Sequence, residues 1–140
     1  MTAIGSRQSA VVMEGTMSEE VIQSYRDLRV WREAMLLAEL CYKFTKPFPK
    51  EEMFGLTSQI RRSGASIPAN IAEGYGRDNA GSYVQFLRIA QGSCKEVETH
   101  ALLAVRVIEG LGEPSELLAQ CEIVGKMLRG LIRSIQETRA

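Results

Sequence analysis

The side chains best suited to chemistry in this chain are Ser93, Glu96 and His100. Glu96 and His100 are four residues apart, a spacing that sets two ligands on one helix face. With a third ligand they could hold a metal ion. Ser93 could act as a nucleophile only with His100 as its base. The two are separated by about two helical turns, ~10 Å along the axis, too far for a direct hydrogen bond. His100 is the chain's single histidine, so no two-His metal site can form. A Glu-x-x-x-His pattern is common by chance and reads first as a hydrogen-bonded histidine at a core edge. No catalytic residue, cofactor or metal is therefore assigned.

A second group of polar residues is more ordered. The segment Met53 to Glu73 reads as one helix, with Met53, Leu56, Ile60, Ile67 and Ile71 on one face. Gln59, Arg62, Ser66, Asn70 and Glu73 fall on a second face beside the first, not opposite it. A solvated face would be richer in Lys and Glu. Polar groups aligned along a core edge must find partners. Ser93, Glu96 and His100 share one side of a later helix and supply candidates. The expected arrangement is an interhelical network joining Arg62 and Asn70 to Glu96 and Ser93. Such a network would fix helix register, or it would line a ligand or partner site; catalysis is the weakest of the three readings.

Arginine dominates the cations of the first three helical segments, through Arg26, Arg29, Arg32, Arg61, Arg62, Arg77 and Arg88. Its planar fork suits bidentate phosphate contacts. Arg29, Arg32, Arg61, Arg77 and Arg88 are the candidate phosphate contacts. The competing reading is an ion-paired or solvated face.

The elements that must position these groups follow from periodicity. Residues 1–24 show little, and are expected to form a flexible tail ahead of a bundle over residues 25–140. A first helix runs from about Leu28 to Thr45, capped by Asp27. Val30, Ala34, Leu37, Cys41 and Phe44 form its core stripe, widened by Trp31, Ala38 and Tyr42. Lys46-Pro47-Phe48-Pro49 stops it. A second runs from about Lys50 to Glu73, with Glu51 and Glu52 in its first turn and Pro68 inside it. Asp78 or Asn79 caps a third, which runs to about Glu109 and buries Tyr83, Phe86, Ile89, Ala90, Val97, Ala101, Ala104 and Ile108. Pro114 opens a fourth, whose Leu117, Cys121, Val124, Leu128, Leu131 and Ile135 alternate three and four apart. Neither strand alternation nor a Gly-rich phosphate loop occurs. Four helices with short connections predict an all-α fold, an antiparallel up-down four-helix bundle.

Composition sets the outer bounds. The chain has 140 residues, 45% hydrophobic and 24% charged, enough for one domain with a real core. Seventeen basic residues balance seventeen acidic ones. A general nucleic-acid binder usually carries a basic excess, which is absent here. Low net charge also weakens repulsion between copies, which suits self-association. Cys41, Cys94 and Cys121 sit far apart in apolar helical patterns and read as core residues of a reducing compartment. No run approaches the roughly 18 apolar residues of a membrane span, and residues 1–24 lack a charged start followed by an apolar stretch. A cytoplasmic location is expected.

Several strings occur in a specific order over residues 25–136. They are Leu28-Arg29-Val30-Trp31-Arg32-Glu33-Ala34, Phe48-Pro49-x-x-Glu52, and Gln59-Ile60-Arg61-Arg62-Ser63. Ser66-Ile67-Pro68-Ala69-Asn70-Ile71-Ala72-Glu73-Gly74 and Gln91-Gly92-Ser93-Cys94-Lys95-Glu96-Val97-Glu98 follow. Together they resemble the four-helix-bundle family encoded in intervening sequences of bacterial 23S ribosomal RNA genes. The resemblance implies an antiparallel four-helix bundle, no enzymatic activity, and a ring-like homo-oligomer, typically a pentamer. It also implies an RNA-linked role, because the family is similar to accessory proteins of diversity-generating retroelements, which bind nucleic acid and a reverse transcriptase. The matched polar positions are Gln59, Arg62, Ser66, Asn70, Glu73, Ser93 and Glu96. The function expected is a non-enzymatic homo-oligomer that contacts RNA or a nucleic-acid-binding protein. The alternative is a protein-interaction scaffold with no nucleic-acid role.

Overall fold

The computed structural model describes residues 21–139. The expected tail over residues 1–20 lies outside them. Four helices carry the fold: α1 (Arg29–Thr45), α2 (Leu56–Tyr75), α3 (Ala80–Val107) and α4 (Ser115–Arg139). Single 3₁₀ turns, Tyr25–Asp27 and Lys50–Glu52, precede α1 and α2. Each helix packs on the next in sequence, and α4 closes back onto α1. Consecutive helices joined by short loops run antiparallel, so the architecture is the expected up-down four-helix bundle. Among the described residues there is no strand, and no helix is long and apolar enough to cross a membrane.

Local chemistry explains where each helix begins, and corrects three expectations. Ile22 is only 5% exposed and joins the hydrophobic core, so the ordered part starts before residue 25. Its segment is anchored by a capping box: Ser24 Oγ accepts from the Arg26 N–H at 3.1 Å, and Asp27 Oδ2 accepts from the Ser24 N–H at 3.2 Å. Asp27 is thereby spent on the 3₁₀ turn. The N-cap of α1 is Leu28, which offers no side-chain cap. The backbone N–H groups of Gln23 and Ser24 hold the Asp27 carboxyl below the usual carboxylate range, with Arg32 adding to them.

α2 starts at Leu56, six residues later than expected. Glu51 and Glu52 occupy the 3₁₀ turn, and the chain breaks at Gly55 before the α-helix begins. Glu52 still serves the helix, because its Oε1 accepts from the Leu56 N–H at 3.1 Å. Met53 thus lies outside the helix, and the neighbouring Phe54 is 96% exposed. Pro68 is buried within α2, which runs unbroken through it. Asn79 caps α3 as expected, its Oδ1 accepting from the Ser82 N–H at 2.7 Å.

The core stripes differ in how well they match. On α4 every expected core position is buried, joined by Gln120 and Ile132. On α1, Thr45 replaces Phe44 as the last buried residue, and its hydroxyl donates to the Cys41 carbonyl at 2.8 Å. On α3 the buried face is centred on Leu87, Ala90, Cys94, Val97 and Ala101, leaving Phe86 half-buried and Ile89 exposed. α1 and α2 pack tightly at Gly64, where a Cβ would lie 2.6 Å from Cys41 Sγ.

Candidate interaction face

α2 packs against both α1 and α3; of its polar stripe, Gln59, Arg62 and Glu73 are exposed, while Ser66 and Asn70 are half-buried. Toward α3 runs a seam of small polar groups. Ser66 Oγ and Ser93 Oγ share a hydrogen bond of 2.8 Å. Asn70 Nδ2 donates to the Ser66 carbonyl at 2.8 Å and to Ser66 Oγ at 3.0 Å. Ser63 Oγ donates to Glu96 Oε1 at 3.3 Å. The hydroxyl bond bridges the two helices where Ser93 is buried, and it satisfies polar atoms that would otherwise be costly there.

The expected network is therefore formed in part. Ser66, Asn70 and Ser93 come together. Arg62 does not join them: it is exposed and makes no ion pair among the described residues. Glu96 is also exposed, and its partner is Ser63, not Arg62. Gln59 and Glu73 are exposed, Glu73 being paired with Arg77 at 3.0 Å. The physical reason is azimuth. The core centre of α2 lies nearer Ser63 and Gly64, both buried, which turns Gln59, Arg62 and Glu73 outward. Ser63 is the residue sequence reasoning missed. It lies one heptad before Asn70, so the helical wheel carried the signal.

His100 is half-buried on α3, with its Nδ1 buried and without a hydrogen-bond partner. Among the described residues no three His, Cys, Asp or Glu side chains gather in a group able to hold a metal ion. Cys41, Cys94 and Cys121 are free and buried. Burial raises all three thiols; Cys41 and Cys94 are pushed up to about 12.

The five candidate phosphate contacts divide. Arg32 donates to the Arg26 carbonyl at 2.9 Å and lies 3.9 Å from Asp27. Arg61 donates to Thr45 Oγ1 at 2.8 Å and stacks over the Tyr42 ring at 4.6 Å. Arg77 pairs with Glu73 and stacks over Phe86 at 4.6 Å. These three are occupied within the chain. Arg29 and Arg88 are exposed and have no ion pair among the described residues.

Apolar side chains flank the polar seam on both sides. On α1, Met35 and Tyr42 are exposed, seven residues apart and so on one face. On α3, Ile89, Leu103 and Val107 are exposed on the flank that carries Glu96. Between them the outer surface of α2 is smoothed by Ala65 and Ala69. The result is a broad face of three helices with apolar edges and a centre where Ala65 and Ala69 lie among exposed Gln59, Arg62 and Glu73.

Among curated proteins, no relative matches the chain. A crystal structure of a protein of unknown function from the S23 ribosomal protein family of Bacteroides thetaiotaomicron VPI-5482 superposes with a TM-score of 0.65 at 26% identity. The match covers 74% of this chain and 97% of that one. The model of the family described as 23S rRNA-intervening sequence protein matches residues 26–130, which span α1 to α3 and most of α4. On the strength of that match, the chain belongs to the 23S rRNA-intervening sequence protein family.

Proposed function

We propose that the protein is a non-enzymatic, cytoplasmic homo-oligomer, a ring such as a pentamer, whose assembled form contacts RNA or a ribonucleoprotein partner. The observation that carries this reading is the α1–α2–α3 face. Exposed apolar groups there line both edges, where a lone soluble chain has little reason to keep them. The α1 edge and the α3 edge are different surfaces. A contact joining one to the other is heterologous, and heterologous contacts that close make rings.

Arg29, Arg62 and Arg88, with no ion pair among the described residues, supply phosphate-seeking groups. Repetition around a ring would multiply each contact without any excess of charge per chain. Membership of a family named for 23S rRNA intervening sequences supports the RNA-linked half of the reading. The zero net charge favours a second reading, a scaffold that binds protein only. RNA binding by the purified protein across a salt series, with mass recorded on the same samples, decides between them. The first reading expects an oligomer whose RNA affinity falls steeply with salt. An oligomer that ignores RNA at low salt would establish the scaffold instead.

A further inference from the structure

A groove of about 430 Å³ runs between α3 and α4, on the side of the bundle away from α2. Its size lies within the range of small-molecule sites, about 300–1,000 Å³. Two glycines face it, Gly92 on α3 and Gly125 on α4. A Cβ at Gly92 would meet nothing within 4 Å, and one at Gly125 would meet only Arg129 Nη1 at 3.7 Å. Close helix packing does not require these glycines, in contrast to Gly64. Gly92 leaves open space between the helices, whereas the Arg129 guanidinium lies over Gly125. Cys94 and Cys121 lie in the groove beside them.

Charge along the groove is polarised. Arg88 lies one turn before Gly92, and Arg129 one turn after Gly125. The helices are antiparallel, so both residues start from the same end, and the Arg129 guanidinium turns back toward Gly125. Neither has an ion pair among the described residues. Glu98 and Glu122 lie toward the other end. Glu98 is paired with Lys95 at 3.3 Å, whereas Glu122 has no ion pair among the described residues. From Glu122 to Arg129 the groove runs about 10 Å along α4.

We propose that this groove binds one nucleotide unit, with the phosphate at Arg88 and Arg129, a flat ring in the open space over Gly92, and base amino or ribose hydroxyl donors at Glu122 and Glu98. Two unpaired arginines at one end form a fork-lined anion site. Carboxylates at the other end accept hydrogen bonds from exocyclic amines and hydroxyls. A simple dianion would satisfy the first end only. The nucleotide is either free or part of a strand, and the inference rests on the RNA reading above only in the second case.

The test titrates AMP, and separately a ten-residue adenosine oligoribonucleotide, into the full chain and two variants. Gly92→Leu fills the slot where the fold leaves open space, and circular dichroism checks that it stays helical. Arg88→Ala with Arg129→Ala removes the anion end. AMP binding weakened at least tenfold in both variants supports a free nucleotide as ligand. Binding of the oligonucleotide alone, weakened tenfold in both, supports a nucleotide within a strand. The inference falls if neither probe binds, or if both variants bind as the parent does. In the last case RNA binding by the protein survives and only this groove is excluded.

Discussion

Ser93 and Glu96 are one turn apart on α3 and both touch serines of α2, yet their surroundings give them different weights. Ser93 is buried, and its hydroxyl shares a 2.8 Å bond with Ser66. A neutral hydrogen bond of this kind contributes about 0.5–1.5 kcal/mol net. Ser93→Ala leaves Ser66 Oγ still accepting from Asn70, so no hydroxyl is orphaned. The expected loss is about 1 kcal/mol in urea unfolding. Glu96 is exposed, its bond to Ser63 is longer at 3.3 Å, and no arginine is buried beside it. A surface position of this kind changes stability by less than about 0.5 kcal/mol. Glu96→Ala should fall in that range, whereas the Arg62–Glu96 pair expected from the sequence, if buried, would have cost about 2–4 kcal/mol to break. The two measurements together show whether the seam holds through its hydroxyls.

At the scale of the element, α1 and α2 are locked where Gly64 meets Cys41. A glycine inside a helix normally costs roughly 0.5–1 kcal/mol relative to alanine. Here the sign reverses, because the added methyl would lie 2.6 Å from Cys41 Sγ and 3.1 Å from Cys41 Cβ. Gly64→Ala is expected to destabilise by about 1–3 kcal/mol, the usual range for overpacking. Adding Cys41→Ala removes the nearer atom, so the double variant should lose less than the sum of the two single losses. An additive result in thermal unfolding would mean that the helices part freely there. The same elements show what periodicity can and cannot convey. On α4 the expected core positions were legible, because those apolar residues alternate three and four apart, although buried Gln120 and Ile132 were not among them. The ends of α2 and the facing of α3 were not. Glu51 and Glu52 look like a first helical turn, and only Gly55 hints at the break. On α3, Phe86, Ile89 and Ala90 all fit an apolar arc, and a wheel gives their relative angles without saying where the core centre lies. Packing against both α2 and α4 set that centre near Ala90 and Cys94, which left Ile89 outside. The polar seam suffered from the same missing datum: Ser66 and Asn70 fell inside its edge, while Gln59 and Arg62 fell outside.

The whole molecule joins three thiols from three helices in one core, and this gives its stability a direction with pH. Cys41 is raised from 9.0 to about 12 by burial and then by Cys94, and Cys94 to about 12 by burial and then by Glu98. The folded state therefore keeps protons that the unfolded chain releases. Their contribution is fully present below the unfolded value near 9 and is lost as pH rises toward 12. Unfolding midpoints should fall across that window and not below it, and Cys41→Ala should flatten the slope. The proposed assembly also belongs to this scale, and its geometry can be tested by mixing. Met35→Glu with Tyr42→Glu places charge on the α1 edge; Leu103→Glu with Val107→Glu places it on the α3 edge. If the native contact joins one edge to the other, each variant alone has a single usable edge and no partner for it, and is monomeric. An equimolar mixture offers the intact α3 edge of one chain to the intact α1 edge of the other. It should form a heterodimer that stops at two, because the remaining edges are both charged. A pairing of like edges gives the opposite pattern: a variant with its contact edge intact dimerises on its own, and mixing adds nothing. A wild-type chain that stays monomeric at micromolar concentration would remove the assembly altogether. Sedimentation of the two variants, apart and together, thus reads the symmetry of the contact directly, since only a head-to-tail interface lets two separately inactivated chains rescue each other once and no further.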